Sequence, residues 1–504
     1  MQDTTTDVVV VGAGNAGLVA ALAAREAGAE VIVLESADRA GRGGNSRFSG
    51  GIFRSTHDGL ASIKPLLSTE GSAWADRVTV RPYPAADFRA DWMKVSVGLP
   101  NADLMDTVIE GSYPTLEWMQ RQGVEWEVCL GKLFDESKLG AGVTYDVPPG
   151  GAIRSVHEGV GLMDRLFEAV EREGIDVWYE APAADLITRG SSVEGVRVRT
   201  PDGYVEVRGA VVLASGGFEA NPAMRLRYLG TGWDLVKVRG TRYNMGTMLE
   251  QALDAGAQPA GHWEGCHAAP IDAAAPPVGD VRMTDKYSRY SYPYSLLVNA
   301  RGERFVDEGE DQVWLTYAKT GSAVRQQPQN VAYQIFDQRT AHLLEPRYST
   351  GTPVVADTVE DLADKLRLPL STLRRTLDTY NAAVAADAAD RFEPLTNDGV
   401  AAEPAGQPPK SNWALPVDEA PFVVYPCACG ITFTYGGLKI DTDARVLDTE
   451  GRVMPGLFAT GEIIGEFFYF NYAAGTGLMR GAVFGRRAGT SAAAATTERV
   501  VGVS

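Results

Sequence analysis

Cysteine and histidine are scarce in this chain of 504 residues, which has four of the first and five of the second. Cys129, Cys266, Cys427 and Cys429 make no disulfide framework in a chain this long. Only Ala428 separates Cys427 from Cys429. That spacing suits neither a zinc knuckle nor a Cys-x-x-Cys redox pair, so both are expected to be small buried thiols. No Cys-x-x-Cys-His site and no ferredoxin-like cysteine run occurs, so an in-chain haem or iron–sulfur cluster is not supported. There is no Gly-x-Ser-x-Gly elbow and no cluster of metal-ligating residues, and no metal is expected. Basic residues are outnumbered 47 to 65 and the net charge is -18, which leaves no basic face for nucleic acid. The overall field repels anions, so an anionic substrate would need a locally placed Arg. No apolar run approaches the ~20 residues of a membrane span. The start, Met-Gln-Asp-Thr-Thr-Thr-Asp, lacks the basic and apolar regions of a signal peptide. A cytoplasmic protein without nucleic-acid or membrane partners is expected.

The chain is too long for one compact core, and two domains are expected. Apolar residues make up 45% and charged residues 22%, as in ordinary soluble proteins. Val8, Val9, Val10 and Val11 form a β-branched run suited to a strand buried on both faces. Gly12, Gly14 and Gly17 follow as Gly-x-Gly-x-x-Gly. The first glycine permits a tight turn, the second a close approach of backbone to pyrophosphate, and the third close helix–strand packing. A helix is expected from about Asn15 to Ala27, with its free N–H groups at the phosphates. A second strand, 30–34, ends at Glu35, eighteen residues after Gly17, where a carboxylate would hold ribose hydroxyls. Strand, glycines, helix, strand and acid in this order indicate a dinucleotide. Residues 193–209 alternate in polarity and should form a hairpin turning at Asp202-Gly203. Residues 161–174 place apolar side chains at 162, 163, 166, 167 and 170, on one helix face.

After Glu35 the chain continues Ser-Ala-Asp-Arg-Ala-Gly-Arg-Gly-Gly-Asn-Ser-Arg-Phe-Ser-Gly-Gly-Ile-Phe-Arg. This glycine-laden loop resembles the flavoprotein family that includes fumarate reductase, succinate dehydrogenase, ketosteroid dehydrogenase and tricarballylate dehydrogenase. Three further segments resemble that family in order: 209–221 with Gly216-Gly217, 436–466 with Gly461-Glu462, and 471–489, a glycine turn entering a helix. The resemblance implies an α/β fold: a Rossmann-like FAD-binding domain (parallel sheet with helices) interrupted by an α+β capping, or substrate, domain. The expected boundaries are 1–261 and 431–504 for the two parts of the FAD-binding domain and 262–430 for the cap. Family members with covalent FAD carry a His in the loop, at about Gly44 here. No His lies between Glu35 and Gly51, so non-covalent FAD is implied. The implied cofactor residues are Gly12, Gly14, Asn15, Ala16, Gly17, Glu35, Ser36, Gly43, Gly44, Asn45, Ser46, Gly50, Gly51, Ala184, Ser215, Gly216, Gly461, Glu462, Thr476, Gly477 and Leu478. The N-terminus of the last helix would set backbone N–H groups and a positive dipole near the flavin pyrimidine ring. No second Gly-x-Gly-x-x-Gly unit exists, which disfavours reduction in the manner of the disulfide reductases.

The family removes two hydrogens, reversibly, from adjacent carbons beside a carbonyl or carboxylate. A donor stabilises the enolate, a base takes the alpha proton, and hydride passes to flavin N5. Fumarate reductases use two His and two Arg for this. His267 matches the first His. The proton-delivering Arg is replaced by Gln312 or Val313, the second His by Thr432 or Phe433, and the second Arg by Tyr472. These departures argue against fumarate reduction. Tyr472, His267 and Tyr317 are the candidate catalytic residues. Tyr472 would serve as donor to an enolate oxygen, as a phenolate base, or as passive lining. Tyr317 would be its partner phenol or a cap-core aromatic. Arg54, Arg289 and Thr434 are the candidate substrate contacts.

The expected activity is FAD-dependent alpha,beta-dehydrogenation of a small ketone or carboxylic acid such as an oxocyclohexanecarboxylate-like compound, passing electrons to an acceptor the sequence does not identify. The alternatives are a tricarballylate-like polycarboxylate dehydrogenase and a non-catalytic FAD-fold binding protein.

Overall fold

The computed structural model describes residues 2–73, 75–130 and 144–501. The β-branched run at the start forms the strand Thr4–Val11, whose Val8, Val9 and Val10 are fully buried. It is sandwiched in a parallel sheet between Val31–Leu34 and Gly203–Leu213. Asp176–Trp178 extends this sheet beyond Val31–Leu34, and Val453–Ala459 extends it beyond Gly203–Leu213, both in parallel. Strands buried on both faces need continuous apolar sequence, and that is what these carry. The predicted hairpin is the antiparallel pair Ser192–Thr200 and Gly203–Leu213, closing where Gly203 faces Thr200.

Helices cover the sheet. Asn15–Glu26 and Thr476–Val501 run against each other, closely enough that a Cβ on Gly489 would lie 2.1 Å from the Ala20 carbonyl oxygen. Glu158–Arg172 buries Leu162, Met163, Leu166, Phe167 and Val170, the face read from the sequence.

A second sheet of six strands is built from residues 237–438. Its long central pair, Pro259–Asp272 and Phe422–Leu438, is antiparallel along almost its full length. The boundaries expected at 261/262 and 430/431 fall inside these two strands. Val313–Arg325 packs on Pro259–Asp272, with Gly321 so close to the strand that a Cβ would lie 2.5 Å from the Ala268 carbonyl. On the other side of this sheet a separate core gathers Leu296, Val298, Ile335, Leu362, Leu373, Tyr380 and Val424. The stretch 400–417 contributes Val400, Ala402, Ala414, Leu415 and Val417 to it. All four cysteines are free and buried.

Candidate cofactor and substrate site

The turn after the first strand is held by Gly12, whose φ of +103° suits glycine. Its N–H donates to the Leu34 carbonyl at 2.8 Å. A Cβ on Gly17 would stand 1.9 Å from the Gly12 carbonyl oxygen, so only glycine lets the helix begin this close. Glu35 emerges at the end of the neighbouring strand. Its carboxylate accepts from Ala13 N–H at 3.1 Å and Ala37 N–H at 2.8 Å. Burial raises its pKa, with the backbone donors of Ala37 and Ala13 pulling the other way. Ser46 Oγ accepts from Asn15 N–H at 3.0 Å and ties the glycine-rich loop to the helix start.

These pieces wall a cavity of about 340 Å³ that runs from Glu35 and Ser36, past Gly12, Gly14, Asn15 and Ala16, to His267, Tyr317 and Tyr472 under the second sheet. Gly44, Asn45, Ser46, Gly50, Gly51, Ser215, Gly216, Gly461, Glu462, Gly477 and Leu478 also line it. Gly17, Gly43 and Thr476 do not; Gly17 instead fixes the packing of the turn. Ala184 is also off the wall, where Pro182 and Ala183 stand.

At the far end the rings of Tyr317, Phe433 and Tyr472 surround His267, at centroid distances of 4.8, 5.1 and 5.2 Å. Tyr472 Oη accepts from Gly477 N–H at 3.0 Å, which leaves the phenolic hydrogen available to donate. Burial raises the pKa of Tyr472, and burial together with the neighbouring phenols raises that of Tyr317 well above a free phenol's. Both are therefore neutral phenols at pH 7.

The two arginines expected at the substrate stand elsewhere. Arg289 is fully buried off the cavity, with Asp272 accepting from Nη2 at 2.5 Å and carbonyls of Ser288 and Arg347 accepting from Nη1. Arg54 is 2% exposed and bound to Tyr83, Asp91 and the Ala474 carbonyl. Thr434 lies behind the wall and donates through its N–H to Glu462 at 2.9 Å. Three other arginines reach the cavity: Arg199, Arg239 and Arg480. Arg239, which sequence reasoning missed, lines it and pairs with Asp285, while donating to Ser288 and Thr432 hydroxyls. Burial opposes its charge, but Asp285 outweighs burial and keeps the guanidinium protonated. Its one sequence signal is an Arg in the apolar stretch Leu-Val-Lys-Val-Arg-Gly, where burial demands a partner. Arg480 lines the cavity with its guanidinium over the Phe468 ring at 4.8 Å; burial brings its pKa down to about 10.

A buried acid pair flanks the wall. Glu219 Oε1 accepts from Asn45 and Asn244 side-chain amides, each at 2.6 Å. Burial and the charge of Glu462 raise the Glu219 pKa well above the carboxylate range, so Glu219 is the protonated partner.

The FAD binding domain family matches residues 7–65 and 68–478. The chain belongs to that family. It is 27% identical over 97% of its length to the NADH:acrylate oxidoreductase of Vibrio harveyi, spanning 50% of that protein. It is 29% identical over 97% of its length to the probable fumarate reductase Ifc3 of Shewanella frigidimarina, spanning 75% of it. The chain thus covers half to three quarters of these curated relatives. The solved 3-ketosteroid-Δ4-(5α)-dehydrogenase of Rhodococcus jostii RHA1, in complex with 4-androstene-3,17-dione, superposes with a TM-score of 0.69 at 25% identity, over 98% of each chain.

The residues present fit FAD. Asn15 Oδ1 and Arg480 Nε, buried on residues that line the cavity, meet no partner among the described residues. Glu35 stands where a ribose would be received, and glycines at 14 and 44 keep the two loops open to a pyrophosphate.

Proposed function

We propose that the chain is an FAD-dependent oxidoreductase that desaturates, or in reverse saturates, a carbon–carbon bond beside the carbonyl of a small ketone. A neutral cyclic ketone is the preferred substrate, because a keto acid of the oxocyclohexanecarboxylate type would need a free cation for its carboxylate. Non-covalent FAD, when bound, supplies the hydride acceptor. The observation that carries the substrate reading is the cluster of two neutral phenols and one imidazole at the cap end of the cavity, with Arg54 and Arg289 tied up away from it. Phenols of raised pKa donate to a carbonyl oxygen as it gains enolate charge. Tyr472 is suited to this, because its oxygen already accepts from Gly477 N–H and its hydrogen is left to donate. His267, between the two phenols, is the group suited by its chemistry to carry the alpha proton. A polycarboxylate would need several available cations; of the three arginines at the wall, Arg239 is paired with Asp285, Arg480 lies over Phe467 and Phe468, and Arg199 stands beside Pro182.

The purified protein should be yellow, and an anaerobic panel of cyclic ketones, keto acids, tricarballylate and succinate should show bleaching by the ketones first. Tyr472→Phe should slow bleaching about 100-fold or more, the scale of one lost oxyanion donor. Bleaching by tricarballylate in preference to every ketone refutes the substrate reading. A colourless protein that takes up no added FAD points to a binding protein without redox chemistry.

A further inference from the structure

Arg54 sits between the flavin cavity and a second cavity of about 460 Å³ that it lines with Tyr83, Asp91, Gly150 and Trp314. Its guanidinium is gripped on both sides. Nε donates to the Ala474 carbonyl at 2.9 Å, and Nη1 donates to Tyr83 Oη at 2.5 Å and Asp91 at 2.8 Å. Its own backbone N–H donates to the Gly475 carbonyl at 3.3 Å. A Cβ on Gly150 would lie 2.1 Å from Nη1, so there is no room for a substrate carboxylate on that side. A Cβ on Gly475, whose φ is +85°, would lie 2.7 Å from the Arg54 nitrogen, so the two backbones touch.

The two carbonyls that Arg54 holds are consecutive, and helix Thr476–Val501 starts at the next residue. The same turn carries Tyr472, through the bond from Gly477 N–H to its phenolic oxygen. Ala474 is anchored from the cap as well, its N–H donating to the Trp314 carbonyl at 2.9 Å.

We propose that Arg54 is a positioning residue and not a substrate anchor: it clamps the Ala474–Gly475 turn and so sets the angle at which the last helix points its positive N-terminal end at the flavin and Tyr472 at the substrate. This rests on the FAD reading above. A flavin that gains negative charge on reduction, or on adding sulfite, is stabilised by the helix dipole. Loosening the clamp weakens that stabilisation without touching substrate charge recognition.

The test uses the flavin-loaded protein with Arg54→Gln and, as a milder variant that leaves the Nε bond to Ala474 in place, Asp91→Asn. Sulfite affinity, read from flavin bleaching, should fall about ten-fold in Arg54→Gln, the scale of a partly buried helix-terminus interaction. It should fall less in Asp91→Asn, and the flavin midpoint potential should drop in the same order. KM should change equally for a keto acid and for the matching ketone without the carboxylate. Unchanged sulfite affinity with KM raised only for the keto acid overturns the proposal and restores the anchor. If Arg54→Gln does not fold, Asp91→Asn decides by the same two readouts, unchanged sulfite affinity again counting against the clamp. A wild-type protein that binds no flavin overturns both this proposal and the FAD reading; a yellow one with unshifted variants overturns this proposal alone.

Discussion

Gly481, Gly485 and Gly489 stand four residues apart on the helix Thr476–Val501, on the face that meets Asn15–Glu26. Each lets the helices approach to a different degree. A Cβ at 481 would lie 3.3 Å from the Ala16 methyl, at 485 2.7 Å from the Ala16 carbonyl oxygen, and at 489 2.1 Å from the Ala20 carbonyl oxygen. Alanine in a helix interior gains about 1 kcal/mol over glycine in intrinsic propensity. Overpacking costs roughly 1–3 kcal/mol and more when backbone must move. At 481 the neighbour is a methyl that gives by a few tenths of an ångström, so the two terms cancel to within about 1 kcal/mol. At 489 the neighbour is a main-chain oxygen that cannot rotate away, and the helices must part by more than an ångström. A net loss of about 2 kcal/mol or more is expected there, with Gly485→Ala between. Urea midpoints of the three single variants, read on both apoprotein and flavin-loaded protein, test this ranking. Equal midpoints, or a 481 variant less stable than the 489 variant in the apoprotein, would refute the close-packing argument. Because Gly481 also lines the cavity, only its variant should change flavin retention out of proportion to stability.

Glu35→Gln should weaken FAD binding about 10- to 100-fold, the scale of a hydrogen bond to a charged group, measured by flavin release on dilution; unchanged retention would remove Glu35 from the site. Lys410 is buried, donates to the Ser295 carbonyl at 2.7 Å, and is pushed by burial down to about 8. Its folded value lies below the unfolded one, so the penalty is full below pH 8. Above pH 8 the unfolded chain alone holds the proton, and stability rises by up to about 1.4 kcal/mol per pH unit until the unfolded lysine titrates. Lys410→Met should flatten that rise in a urea-midpoint series, and a variant curve as steep as the parent's would refute it. Glu219 has the opposite sign: its raised folded value means that stability falls as pH climbs above the unfolded carboxyl range. Glu219→Gln, an amide that keeps a donor towards Glu462, should lessen that fall, and an unaltered slope would show the carboxyl to be ionised.

What could be read in advance was whatever the chain writes locally. Glycines at 12, 14 and 17, a carboxylate at 35 and β-branched strands specify their turn and sheet within forty residues, and all fell into place. His267, Tyr317 and Tyr472 meet at one end of the cavity, His267 on the strand Pro259–Asp272, Tyr317 on the helix packed against it, and Tyr472 in the turn that enters the last helix. The arginines were not legible in the same way. Arg54 and Arg289 look alike in sequence to any free cation, because the partners that neutralise them, Asp91 and Asp272, are set by tertiary packing. Arg239 escaped notice for the reverse reason: its partner Asp285, in the helical turn Thr284–Tyr287, and its place on the wall are brought together only in the fold. Ala184 stands off the wall that its neighbour Ala183 lines, as successive residues of an extended strand face opposite ways. The glycine spacing on the last helix shows nothing until the helix it touches is known.

The strand Gly203–Leu213 has a consequence for biosynthesis. Its upstream neighbour Thr4–Val11 is made long before it, but its other neighbour, Val453–Ala459, follows more than two hundred residues later. While the second lobe is being synthesised, Val211, Val212 and Leu213 present an unpaired apolar edge, the kind of surface on which nascent chains associate. The second lobe, contained in residues 237–438, can assemble during that interval. The nucleotide chamber, which takes walls from residues 11–16 and from 461–481, closes only afterwards. Flavin capture is thereby a late event in maturation, and cells short of flavin would accumulate chains with one finished lobe and one open sheet.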